Sequence, residues 1–275
     1  MSRNSDTIPG MEPSDERYLE VIRKALRVCL DYKPKFGKGR AGGFTLEIFQ
    51  KMYREDEFYA WFGLDSPLVY AAHKAAGGMT SVYRQIGIGC QAVFQLLLCD
   101  QLGLAHPDCV WSYQVPSTRG KMRRLSLDGW IPLEKVTIEK RKPLVTKWLT
   151  EAAKLVGLEK ADAKDLRGAV FEVRQGYKSK DSKRQNADVS NAANAYASKH
   201  LPVVLLLSTQ IDFDVAERYA RAQWLILRGT IGGTSLDSTY MFCRDVLGYD
   251  LAGFFRRNSS TIKDETLAAF EGLLR

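Results

Sequence analysis

The 275-residue sequence lacks any apolar run approaching the roughly 20 residues that a membrane-spanning helix requires. Its longest apolar cluster, 201–207, is far shorter, and the opening MSRNSDTIPGMEPSDER holds no continuous apolar core of the kind a secretory signal needs. A soluble, cytoplasmic protein is the expectation. Cysteine is scarce, with five residues at 29, 90, 99, 109 and 243, an odd number without CxxC spacing. That pattern excludes a well-specified disulfide framework or Cys-rich zinc module and predicts buried free thiols. Histidine is scarcer: His73, His106 and His200 stand alone, so no HExxH pair of zinc ligands forms. Gly87-Ile88-Gly89 lacks the further glycine of a dinucleotide fingerprint, and Gly37–Gly43 lacks a following Gly-Lys-Ser/Thr, so neither predicts a nucleotide cofactor.

What is present is enough apolar material, 45% of residues, to build one large domain or two modest ones. Forty Lys and Arg against 32 Asp and Glu leave a net charge of +8, which favours an anionic partner without choosing one. Residues 1–15 are polar, with Pro9, Gly10 and Pro13, and predict a flexible lead. Residues 16–105 predict a helical module: apolar side chains recur every three or four positions over 16–31, 44–60, 66–76 and 79–102.

After His106-Pro107 the texture changes, and 106–275 predicts an α/β module. VWSYQV and RRLSLDGWI suit neighbouring strands, a helix fits 141–157, a strand 169–178, a helix 185–199 and a strand 203–208. A helix at 215–228 grading into strand, a glycine turn at 232–233 and a mixed tail complete the reading. The expected fold class is α/β, a mixed sheet flanked by helices with a largely helical N-terminal module.

Chemistry concentrates in Phe171–Asp188. Five basic and two acidic residues fall within 171–184, and a strand running through Gly176 would set Glu172, Arg174 and Lys178 on one side. Upstream, Asp128 sits beside Gly129 at the edge of another strand. Asp128 with Glu172 or Asp188 offers hard oxygen ligands for Mg2+, and Lys178 a cation to orient water or meet developing charge. From Arg119 to Lys147 nine basic residues oppose three acidic ones, with Arg119, Lys121, Arg123 and Arg124 just before Asp128, a distribution suited to backbone phosphates. Lys180, Asp181, Lys183, Arg184, Gln185 and Asn186 add donors and acceptors suited to a major groove. The same residues also suit a solvated charge network, and Ser208-Thr209-Gln210 suits either a cleft or a turn.

The stretch GAVFEVRQGYKSKDSKRQNADVSNAANAY followed by LPVVLLLSTQID resembles type II restriction endonucleases of the PD-(D/E)XK superfamily, over roughly residues 108–230. The resemblance implies a mixed sheet flanked by helices, two acidic metal ligands with a lysine, and a homodimer cutting palindromic double-stranded DNA. Glu172-Val173-Arg174 carries arginine where that family places lysine. The subgroup reading sites centred on CCGG resembles the order Asp128, Lys178, Lys183-Arg184, Asp188, although Ser182-Lys183-Arg184 departs from its Arg-acid-Arg pattern. Pro107-Asp108 is a second choice of first acid, and Arg174 a second choice of cation. The alternative function is a DNA-binding or scaffolding protein without catalysis.

Overall fold

A computed structural model describes residues 13–30, 32–33, 43–116, 121–176 and 182–274, with the backbone alone for 13, 116, 182–189 and 274. The chain is a mixed α/β protein with a helical N-terminal module and a central mixed sheet flanked by helices. It divides into two compact units, residues 1–89 with 258–275, and residues 90–257. Residues 258–275, grouped by sequence with the second module, pack in the first unit.

In chain order the first unit begins with α1 (Pro13–Arg27), α2 (Leu46–Arg54), α3 (Glu57–Trp61) and the first part of α4 (Pro67–Leu102). The second holds the rest of α4, then β1 (Trp111–Pro116), β2 (Met122–Leu127), β3 (Gly129–Pro132), α5 (Lys142–Leu155), α6 (Lys160–Asp165) and β4 (Gly168–Arg174). It continues through α7 (Ser182–Ala197), β5 (His200–Leu206), α8 (Phe213–Arg221), β6 (Leu225–Leu227), α9 (Thr239–Met241), a π turn at Phe242–Leu247 and α10 (Leu251–Arg257). The last helix, α11 (Ser259–Leu274), closes the first unit.

In the first unit α1 buries Tyr18, Ile22 and Leu26 of the stripe its periodicity predicts, with Leu19 beside them and Val21 half-buried. Acidic Asp15 and Glu16 in its first turn and basic Lys24 and Arg27 in its last complement the helix dipole. Side-chain caps start the next two helices: Thr45 accepts from the Ile48 amide at 3.4 Å and Asp56 from the Tyr59 amide at 3.4 Å. The sequence predicts separate helices over 66–76 and 79–102, whereas α4 runs unbroken through Gly77-Gly78. Tertiary packing explains the glycines: Tyr32 approaches Gly77, and a Cβ on Gly78 would lie 2.7 Å from Leu273 Cδ2. They make room for neighbours instead of ending the helix.

In the second unit β1 and β2 form an antiparallel two-stranded ribbon. The central sheet has the order β3-β4-β5-β6, with β3 antiparallel to β4 and the other pairs parallel. VFEV and LPVVLL are nearly continuous apolar runs because both faces of β4 and β5 are covered. On one face Phe171 packs with Phe94, Trp148 and Phe242. On the other, Val170, Val204 and Leu206 pack with Leu127, Ala192, Ala195 and Tyr219. The expected strand at 169–178 ends at Arg174, the expected helix at 215–228 ends at Arg221, and the tail is helical.

Among the described residues no helix is long and apolar enough to cross a membrane. All five cysteines are free, four of them buried, and burial pushes the Cys90 thiol up to about 12.

Candidate active site

Strand alternation sorts the site. Val170 belongs to the cluster beneath α7 and α8, so Glu172 and Arg174 follow it on that face, while Phe171 and Val173 point to the opposite one. Glu172 is 6% exposed, an acid inside an otherwise apolar strand. Its carboxylate is paired with the Arg174 guanidinium two residues along the same face. Such pairing offsets the cost of burying the charge. Arg174 Nε is buried and has no hydrogen-bond partner among the described residues.

Asp128 precedes β3, and the β3–β4 register pairs Gly129 with Phe171. One step further along the ladder sets Asp128 opposite Glu172. Its Oδ2 accepts a hydrogen bond from the Val173 amide at 3.0 Å, and its carbonyl accepts one from Gln95 Nε2 at 2.7 Å. Gly129 has to be small here, because a Cβ would stand 2.7 Å from Phe94 Cε1 and 3.1 Å from Phe171 Cβ. Without that close approach Asp128 loses its seat against the Glu172-Val173 backbone.

The ladder between β4 and β5 continues past both strands: the Leu207 amide donates to the Arg174 carbonyl and the Ser208 amide to the Gln175 carbonyl, both at 2.9 Å. Ser208 lies two residues beyond Leu206, at the strand end the sequence offered as a cleft, and its Oγ accepts from the Gln210 amide at 3.3 Å, the turn bond also foreseen. The sheet thus brings Asp128, Glu172, Arg174 and Ser208 to one end, the carboxyl end of its parallel strands. Open α/β sheets bind ligands at such ends.

Other sequence-selected residues fall elsewhere. Lys121, Arg123 and Arg124 are exposed on the β1–β2 ribbon, and Arg124 Nε donates to Ser112 Oγ at 3.0 Å. Asp108 is engaged by Lys135 at 2.6 Å. Arg119, Lys178, Lys180 and Asp181 lie outside the described residues, as do the side chains of Lys183, Arg184, Gln185, Asn186 and Asp188, whose backbone belongs to α7. Among the described residues no group of three or more His, Cys, Asp or Glu side chains converges as a metal cage. Asp128 and Glu172 are opposed across the β3–β4 register, Asp128 engaged by the Val173 amide and Glu172 by Arg174.

Sequence reasoning missed two supports. Gln95, which fixes the Asp128 carbonyl, is the single polar residue in 92–98, and that isolation on an apolar helix was its signal. Tyr113 Oη, donating to Asn191 Oδ1, ties the ribbon to α7 and carried no local signal. Comparison with protein-family models, with curated proteins and with solved structures returned no match.

Proposed function

We propose that the chain is a Mg2+-dependent type II restriction endonuclease of the PD-(D/E)XK superfamily, with a restriction-endonuclease-like sheet, acting in the cytoplasm as a homodimer on palindromic double-stranded DNA. The observation that carries this reading is the seating of Asp128 against the Glu172-Val173 segment from an adjacent antiparallel strand.

Two carboxylates, one just ahead of β3 and one on β4, would suit Mg2+, which takes one or two protein carboxylates and fills its shell with water and phosphate oxygens. Asp128 and Glu172 would hold the ion, with Asp188 the further carboxylate the sequence keeps open. Bound there, Mg2+ supplies Lewis acidity to the scissile phosphate and lowers the pKa of an attacking water. The Val173 amide and Gln95 fix Asp128, so its orientation does not depend on substrate. Arg174, on the same face as Glu172 with about a fifth of its side chain exposed (22%), would be the cation that meets a phosphate oxygen through the outer part of its guanidinium. Lys178 is the other choice for that cation.

Lys121, Arg123 and Arg124 would steer the DNA backbone, and Arg119 and Lys180 extend the same basic segments. The first turns of α7, with Lys183, Arg184, Gln185 and Asn186, are the proposed base-reading element, and a CCGG-containing site is the proposed target. The Glu172–Arg174 pair favours one rival, a DNA-binding or scaffolding protein in which that pair is structural. Incubating plasmid and genomic DNA with and without Mg2+, then sequencing the ends, separates the two. Discrete Mg2+-dependent fragments with symmetric ends are expected; DNA binding without cleavage across divalent ions and varied targets overturns the nuclease.

A further inference from the structure

We infer that the first unit carries the contact surface for a second copy of this chain, formed by the exposed apolar face of α4 between Leu68 and Tyr83. Leu68, Ala72, Ala76, Met79 and Tyr83 recur every three or four residues and are all exposed, Leu68 at 78%, Met79 at 49% and Tyr83 at 45%. The solvent side of a surface helix is ordinarily polar or charged. Just before α4, Trp61 and Phe62 are 76% and 67% exposed. The α4 stripe by itself presents roughly 400 Å² of apolar surface, about half of the ~800 Å² that each partner buries in a standard interface.

Charge selects the occupant. Between Asp65 and Asp100 the sequence has no acidic residue, and over 67–83 Lys74 is its sole Lys or Arg. A duplex needs cations that this face does not offer. An anionic membrane would meet Glu55, Asp56, Glu57 and Asp65 around Trp61 and Phe62. Two copies of a chain carrying +8 repel one another, and they meet at least cost on a face that holds almost no charge.

The stripe is also self-complementary. Its midpoint falls at Ala75-Ala76, so two α4 helices crossing antiparallel about a two-fold axis there set Leu68 against the partner's Tyr83 and Ala72 against the partner's Met79. Small faces large on both sides of the axis, and Ala76 lets the helices approach closely. The inference rests on the proposed function only in its need for two catalytic centres on one palindrome.

Sedimentation of the full chain without DNA tests it. The wild type is expected to be a dimer at micromolar concentration, and Leu68→Lys with Met79→Lys a monomer with an unchanged thermal melt. Ala76→Cys should be joined into a covalent dimer by a short bismaleimide, whereas the wild type and Met122→Cys should not. A monomeric wild type, a lysine variant that stays dimeric, or no cross-link at position 76 beyond the wild-type level overturns the surface. Cleavage assayed on the same preparations separates the two ideas: a monomer that cuts DNA sinks this interface alone, and a dimer of this design that never cuts sinks the nuclease alone.

Discussion

Burying a carboxylate inside a strand costs several kcal/mol unless a partner compensates, and Glu172 meets that cost with a guanidinium placed two residues away on its own face. Replacing both by leucine removes two charges that had to be desolvated. We expect Glu172→Leu alone to lower stability by about 3 kcal/mol, since it strands Arg174, and the double leucine variant to recover that loss or exceed it. Urea denaturation measures both, and a double variant no more stable than the single one overturns the compensation. If the pair serves chemistry, the same stable double variant is inactive on DNA. Asp128→Asn is a milder probe, because its amide oxygen can still accept from the Val173 amide and the fold is kept. Cleavage is expected to fall on the order of 100- to 1,000-fold with an unaltered melt, the scale of removing one electrostatic group from a transition state. Unchanged cleavage by the folded variant removes Asp128 from the mechanism.

At the level of elements, the β1–β2 ribbon forms its own two-stranded sheet among the described residues, and Arg123 and Arg124 on it and Lys121 just before β2 are exposed. Contact with backbone phosphate predicts a particular signature: Arg123→Ala with Arg124→Ala should weaken DNA binding about equally for every sequence and reduce the salt dependence by roughly one unit of slope per residue. A sequence-dependent loss, read from binding isotherms at several salt concentrations, would instead make the ribbon a base reader. The strands β4 and β5 were legible because fully buried strands read as unbroken apolar runs, and α1 because its apolar residues keep helical spacing. The continuity of α4 was not, since glycines that admit Tyr32 and Leu273 look locally like a break. Asp128 and Glu172 were each legible as acids beside apolar strands, but their meeting depends on the β3–β4 register across more than forty residues. No local pattern encodes that distance. The return of α11 to α1 is equally non-local, resting on Glu265 accepting from Arg23 Nε at 2.7 Å and Arg27 Nη2 at 2.9 Å.

Across the whole molecule, acid should act on the two units in different pH windows. In the second unit His200 is buried between Trp130 and Trp111, with ring centroids 5.7 and 6.2 Å away, and burial holds its pKa below the ordinary 6.5. The unfolded chain takes up that proton near pH 6.5 and the folded chain only at lower pH, so the unfolded state binds more protons in between. Stability from this residue is complete above 6.5 and declines as pH falls toward the folded value. In the first unit hydrogen bonds from Arg27 and Arg23 hold the Glu265 carboxyl below its ordinary 4.5, so its contribution is lost only below that pH. Four of the five tryptophans, at 111, 130, 148 and 224, lie in the second unit, which makes tryptophan fluorescence a reporter weighted toward it. Urea midpoints followed by fluorescence should therefore fall between pH 7 and 5, and His200→Phe should flatten that slope without altering the decline below pH 4.5. Glu265→Gln should do the reverse when helical circular dichroism is followed. A His200→Phe variant that keeps the full slope between pH 7 and 5 would place the titrating group elsewhere and remove the buried imidazole as the source of the second unit's sensitivity.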